Sequence, residues 1–328
     1  MGISGRGRPG LPERRQGFSL IEILVAATVL VLLTSVLSSL ALQTRKIWSG
    51  VDGQTQRRST GRSLLQFIAR DLEMAALPSG YPASATAAAN LQFVANLSSN
   101  PANATAIPSD FLNPHAAFWQ APVSSDRQQG ALAEVGYFIR WDTSQPGVAK
   151  AQLCRFQAIP SDAANFLIYG DSTGAAVNWL APGILSAVAP ASASTNYKGW
   201  IADNVIALWI RCLNSQGQPI VATASGTTLN GGYGFDSRQG FTDPAGTRQH
   251  PAPALPPVVE ITLVTVDART ALRIAAPLRA VADSPANFGK DRGTPGSLAY
   301  FLDQLPAPVK PGVEVFSTRV FLKNAGPE

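Results

Sequence analysis

From Phe18 to Leu42 the chain runs 25 residues with Glu22 as its one charge. At about 1.5 Å per residue, a helix of that length crosses a hydrocarbon core of about 30 Å with some tilt. The pattern therefore predicts a membrane-spanning helix over 18–42. Beyond Gln43 the apolar positions thin to a stripe, Leu64, Leu65, Ile68, Leu72 and Ala75 or Ala76, at three- and four-residue steps, with Arg62, Gln66, Arg70 and Glu73 on the other face. That spacing predicts an amphipathic continuation of the helix through 43–77. Gly50, Gly53 and Gly61 interrupt it; each costs up to about 1 kcal/mol relative to alanine, which predicts a bend or a melted turn within 50–61. The helix must end before Pro78, because the residue preceding a proline is pushed out of the α region. Pro78-Ser79-Gly80-Tyr81-Pro82 then reads as a turn. The stripe over 64–76 needs a cover, and a sheet laid across it is the expected one.

Residues 78–129 are rich in Ala, Ser, Asn and Pro and read mostly as loop, with one short strand at 91–94. Alternation of period two appears at 134–141, where Val135, Tyr137, Ile139 and Trp141 interleave with Gly136, Phe138 and Arg140, and a second strand is expected at 151–159. The Ser144-Gln145-Pro146-Gly147 turn between them makes the pair a β-hairpin. Further strands are predicted at 205–213, closed by a Gln216-Gly217-Gln218-Pro219 turn, at 258–266 and at 315–323. The stretches 214–256 and 280–297, loaded with Gly, Pro, Thr and Asp, read as long loops. The fold class that follows is α+β: a long N-terminal helix packed on a mainly antiparallel β-sheet head.

Charge changes the picture only once it is placed along the chain. A net charge of +5 over 328 residues and a pI of 9.4 suggest a nucleic-acid binder. However, Arg6, Arg8, Arg14 and Arg15 stand against Glu13 before the apolar run, residues 43–77 carry six basic and three acidic side chains, and the rest of the chain balances. The head is neutral and the excess flanks the span, where it suits anionic lipid headgroups. No nucleic-acid partner is expected. Met1–Gln16, rich in Gly, Pro and Arg and without apolar periodicity, predicts a disordered leader. The basic residues after the span, Arg45, Lys46, Arg57, Arg58 and Arg62, outnumber the four arginines before it, so the positive-inside rule does not by itself fix the orientation.

The chemistry sits at Gly17-Phe18-Ser19-Leu20-Ile21-Glu22. A carboxylate four residues inside an apolar run costs a few kcal/mol even on the mildest insertion scale, so it calls for a function and a partner. The order of basic leader, Gly, Phe, Ser, Leu, Ile, Glu and hydrophobic helix resembles the class III signal of type IV pilins and type II secretion pseudopilins. The resemblance implies cleavage by a prepilin peptidase between Gly17 and Phe18, N-methylation of Phe18, and a role for Glu22 in assembly. A buried carboxylate there can be paired by the α-amino group of Phe18 on a neighbouring subunit, which also sets axial register. The resemblance further implies a single-pass inner-membrane protein with its head in the periplasm or in a pilus or pseudopilus fibre. Its partners would be the peptidase, the membrane and other pilin or pseudopilin subunits. Softer likenesses at 65–75, in the Val135-to-Trp141 strand, at 257–263 and in Phe316-Ser317-Thr318-Arg319-Val320-Phe321-Leu322-Lys323-Asn324 resemble the large minor subunits, pseudopilin J and PilW-like minor pilins. The expected division is 1–17 cleaved leader, 18–42 transmembrane helix, 43–77 amphipathic helix and 78–328 β-rich head.

Other chemistry is weaker. Cys154 and Cys212 each sit in a predicted strand of a head placed in an oxidising space, and the sequence leaves open whether they form a disulfide or are two core thiols. Gly170-Asp171-Ser172-Thr173-Gly174 after Phe166-Leu167-Ile168-Tyr169 has the form of a nucleophile elbow. It lacks a following helix before Pro182-Gly183, and the one later histidine is His250, beside Pro251. No catalytic residue is expected. His115 and His250 are the only histidines and make no metal-ligand spacing with the cysteines, and no phosphate loop is present, so no metal or other cofactor is expected. The competing readings are a bitopic, signal-anchored protein with a binding head and an exported hydrolase released after Ser39-Leu40-Ala41.

Overall fold

One helix, α1 (Leu20–Glu73), carries both hydrophobic patterns without interruption. The computed structural model describes residues 19–77, 93–96, 115–122, 132–142, 149–159, 198–218, 220, 234–237, 240–242, 248–251, 254–273, 275–282 and 296–325. The chain divides into two compact units, Met1–Arg57 and Arg58–Glu328. In the first, the described part is Ser19 and the backbone of α1 as far as Arg57. The melted turn expected within 50–61 is not seen: the backbone is helical throughout. Gly61 is small for a different reason, since a Cβ there would strike the Phe316 ring.

The second unit holds the end of α1 and eleven described strands. They are β1 (Phe93–Ala95), β2 (Ala116–Ala121), β3 (Ala133–Asp142), β4 (Lys150–Ala158), β5 (Lys198–Asp203), β6 (Val205–Leu213), β7 (Phe235–Asp236), β8 (Phe241–Thr242), β9 (Gln249–His250), β10 (Val258–Thr265) and β11 (Glu314–Phe321). They form a six-stranded sheet of order β5-β4-β3-β2-β1-β7, a three-stranded sheet of order β11-β10-β6, and the pair β8-β9. Every pairing is antiparallel. The two strands of the predicted hairpin pair, with Glu134 opposite Ala158 and Asp142 opposite Lys150; the Ser144–Gly147 turn lies outside the described residues. The turn after β6 forms where Gly217, at φ +74°, lets its N–H reach the Asn214 carbonyl at 2.9 Å.

The expected α1 stripe is buried in this unit. Leu65, Ile68, Leu72 and Ala75 join Trp119, Tyr137, Leu153, Ile210 and Leu263 in one core. The cover is therefore a sheet on one flank and a second sheet beside it. β2 gave no sequence signal: its six residues are all buried, so no polar alternation marks it, and three of them are alanine rather than β-branched. Three helices also lie where the sequence reads loop or gives no signal, α2 (Ala268–Arg273), α3 (Ala275–Ala282) and α4 (Gly296–Gln304). The loop expectations for 214–256 and 280–297 are corrected in part by β7, β8, β9 and the ends of α3 and α4. The latter cover the outer face of β6, where Trp209 meets Phe301 edge-on at 5.0 Å between ring centres.

The edge of β6 that does not pair with β10 is closed by side chains. Asn96, held at φ 50° just after β1, donates its amide N–H to the Leu208 carbonyl at 3.1 Å and accepts the Ile210 N–H at 2.7 Å. A side-chain amide thus copies a neighbouring strand for one residue and ties the two larger sheets together. This satisfies buried backbone groups that would otherwise cost about 1–3 kcal/mol each.

Candidate functional site

Gly17 and Phe18 lie outside the described residues. Description begins at Ser19, and there the local geometry is that of a capping box. The Ser19 N–H donates to Glu22 Oε2 at 3.1 Å, and the Glu22 N–H donates to Ser19 Oγ at 3.3 Å. Ser19 is the residue before the first helical turn, so each side chain satisfies a backbone donor that the helix start leaves without a partner. The sequence signal for this was the spacing Ser-x-x-Glu ahead of an apolar run. Within its own chain Glu22 thus fixes where α1 begins.

From this cap, Leu20–Leu40 forms a 21-residue segment of mean hydropathy 2.6, long and apolar enough to cross a membrane. None of it is buried within the protein. Three of its five hydroxyls return to the helix backbone: Thr28 to the Val25 carbonyl at 2.8 Å, Thr34 to those of Leu30 and Val31 at 2.8 and 2.9 Å, and Ser39 to that of Val36 at 2.8 Å. Such bonds remove the cost of polar atoms in a hydrocarbon setting and leave the Glu22 carboxylate as the segment's one charge.

The head carries a second polar constellation that sequence reading did not find. Asp71, on the flank of the α1 stripe, accepts at Oδ2 from Tyr137 Oη at 2.6 Å and from Arg155 Nε and Nη2, each at 2.9 Å. Its own carbonyl accepts from Trp119 Nε1 at 3.2 Å. The Arg155 guanidinium lies 5.4 Å from the Phe67 ring centre and donates through Nη1 to Gln157 at 2.6 Å. Burial pushes the Tyr137 phenol far above its usual 10, against the pull of Arg155. Burial also works against the Arg155 charge, but Tyr137 and Asp71 outweigh it and raise its pKa. Neither group exchanges a proton near neutral pH, so the cluster is suited to fastening α1 to β3 and β4 rather than to acid–base chemistry.

Cys154 and Cys212, whose pairing the sequence leaves open, are both free and buried. They belong to different sheets. Cys212 lies in the core shared with α1. Cys154 alternates with Leu153 and Arg155 on β4 and so takes the other face, opposite Phe138. Burial pushes the Cys154 thiol up to about 12 and the Cys212 thiol well above its ordinary range. The Gly170–Gly174 stretch lies outside the described residues, and His250 is stacked on Phe241 at 4.3 Å between ring centres. Among the described residues no three His, Cys, Asp or Glu side chains are grouped to hold a metal ion.

Residues 13–38 match the family model of the prokaryotic N-terminal methylation motif, a type IV prepilin-like signal. No curated protein and no solved structure matches the chain.

Proposed function

We propose, from the methylation motif at residues 13–38, that this chain is a minor pilin or pseudopilin. In this reading a prepilin peptidase cuts between Gly17 and Phe18, Phe18 is N-methylated, and α1 enters a type IV pilus or a type II secretion pseudopilus. The motif and the apolar helix that follows fit a membrane-anchored protein. The observation that carries the proposal is the coincidence of the motif with a span whose one charge is Glu22, already at the helix start. A neighbour's Phe18 ammonium arriving there would find an acceptor with lone pairs to spare, since the Ser19 N–H occupies one of several sites on the carboxylate. The methylation motif suggests a structural subunit rather than an enzyme.

The mature amino terminus, read by mass spectrometry of protein taken from the membrane, tests this directly. A methylated Phe18 supports it. An intact Met1 would favour the signal-anchored alternative, and a start at Leu42 the exported one.

A further inference from the structure

His115 opens β2 and is buried, and its backbone carbonyl accepts the Ile139 N–H at 3.1 Å, so the residue is fixed to the six-stranded sheet. Its ring reaches two other elements. Nε2 lies 2.7 Å from the carbonyl of Ala282, the last residue of α3, and the Leu208 N–H of β6 donates to Nδ1 at 3.4 Å. A carbonyl only accepts and an amide N–H only donates, so the tautomer is decided: the proton is on Nε2 and Nδ1 is bare. Phe301 of α4 closes the ring in edge-on, 6.4 Å away between ring centres.

We propose that His115 is an acid-released latch which, when neutral, holds the free edge of β6 and the end of α3 to the six-stranded sheet. A second proton can go only to Nδ1, where it would face the Leu208 N–H donor against donor and place a charge in a dry site. Asn96 holds the adjoining Leu208 carbonyl and Ile210 N–H by an amide that does not titrate, so acid removes one of two ties and leaves the other.

Burial takes the His115 pKa from 6.5 down to about 4, with the Ala282 carbonyl opposing the fall. The charged and titratable groups on the elements around the ring are Arg211 and Cys212 of β6, Arg279 of α3, Tyr300 and Asp303 of α4, and Glu134, Tyr137, Arg140 and Asp142 of β3. The opened state binds its proton near the ordinary value and the closed state does not. The latch is therefore fully held above about pH 6.5 and weakens as pH falls towards 4.

The test is hydrogen exchange by mass spectrometry on the full chain in detergent micelles, corrected for the intrinsic effect of pH. Between pH 7.5 and 4.5, protection over 205–213 and 275–282 should fall roughly fifty-fold in the parent protein. In His115→Gln, which keeps a donor for Ala282 but cannot titrate in this range, protection over 205–213 should start lower and barely change between the two pH values. Asn96→Ala should start lower and keep the full acid-driven fall. An equal acid-driven fall in His115→Gln and the parent would overturn the proposal. So would a His115 ring proton signal in the parent, one of only two from histidine, that titrates near 6.5 with protection unchanged. That second measurement decides the matter even if the variants do not fold.

Discussion

Gly61 of α1 lies against the ring of Phe316 on β11 so closely that no Cβ can stand between them. An exposed helix glycine is a defect that alanine repairs by about 1 kcal/mol. At this contact the sign reverses, because any side chain must displace an aromatic ring at the junction of helix and sheet. Gly61→Val is expected to destabilise the head by about 1–3 kcal/mol in thermal or urea unfolding. Phe316→Ala in the same chain should recover part of that loss. Additive effects in the double variant would show that the two do not share the space.

Asp71 gathers the Tyr137 hydroxyl and the Arg155 guanidinium beneath α1. Asp71→Asn leaves the partly buried guanidinium without its counter-charge, and should cost roughly 2–4 kcal/mol, more than Gln157→Ala. Alkali gives a second readout on the parent protein. The unfolded chain releases the Tyr137 proton near pH 10 whereas the folded one holds it far higher. Stability is therefore unaffected by this group below pH 10 and falls above it. In an ultraviolet titration, one of the six tyrosines should ionise only as the head unfolds.

Ile68 is fully buried between α1 and the sheets. Ile68→Asp places an unpaired carboxylate there and should cost several kcal/mol, enough to unfold a domain of ordinary stability. Melting curves of fragments 45–328 and 80–328, with and without the substitution in the longer one, decide whether α1 is the spine of the head. A stable 80–328 fragment would rule that out.

Both thiols should be countable. Non-reduced protein unfolded in denaturant should titrate two free thiols, and the native protein almost none over minutes, since burial both shields them and keeps them protonated. One disulfide per chain in protein kept from reductants would contradict the geometry of the two sheets.

Glu22 can be dissected because the helix cap and the proposed assembly charge fall on one side chain. Glu22→Gln retains the capping-box hydrogen bond to the Ser19 N–H but not the charge, while Glu22→Leu removes both and makes the span more apolar. Both variants should insert and be cut, whereas Gly17→Val should block cutting, visible as a shift on a gel. Co-purification with partner subunits should drop in both Glu22 variants alike. If Glu22→Gln assembled normally, the cap and not the charge would be what assembly uses.

Of the elements legible in the sequence, the α1 stripe and the strand at 315–323 set a core side against a more exposed one, whereas those at 134–141, 205–213 and 258–266, buried almost throughout, were legible as runs of eight to ten residues rich in β-branched and aromatic side chains. The illegible ones had neither signal. β2 is six residues long, buried on both sides, and half alanine. α2 and α3 are six and eight residues long, too short to establish a period of 3.6. Asp71 was illegible as a site because its two partners lie 66 and 84 residues away, and nothing local marks a carboxylate that will be paired so far along the chain. The N-terminal motif was legible in full because its chemistry is carried by consecutive residues.

Asn96 and His115 grip the same residue, one by the Leu208 carbonyl and the other by its N–H, and the Asn96 N–H itself donates to the Ala116 carbonyl at 2.7 Å. The two ends of 97–114 are therefore joined by the framework before anything between them is specified. Doubling the length of chain between two ends pinned in this way adds only about 0.6 kcal/mol of closure entropy, so an insertion between Asn96 and His115 asks little of the scaffold that holds them.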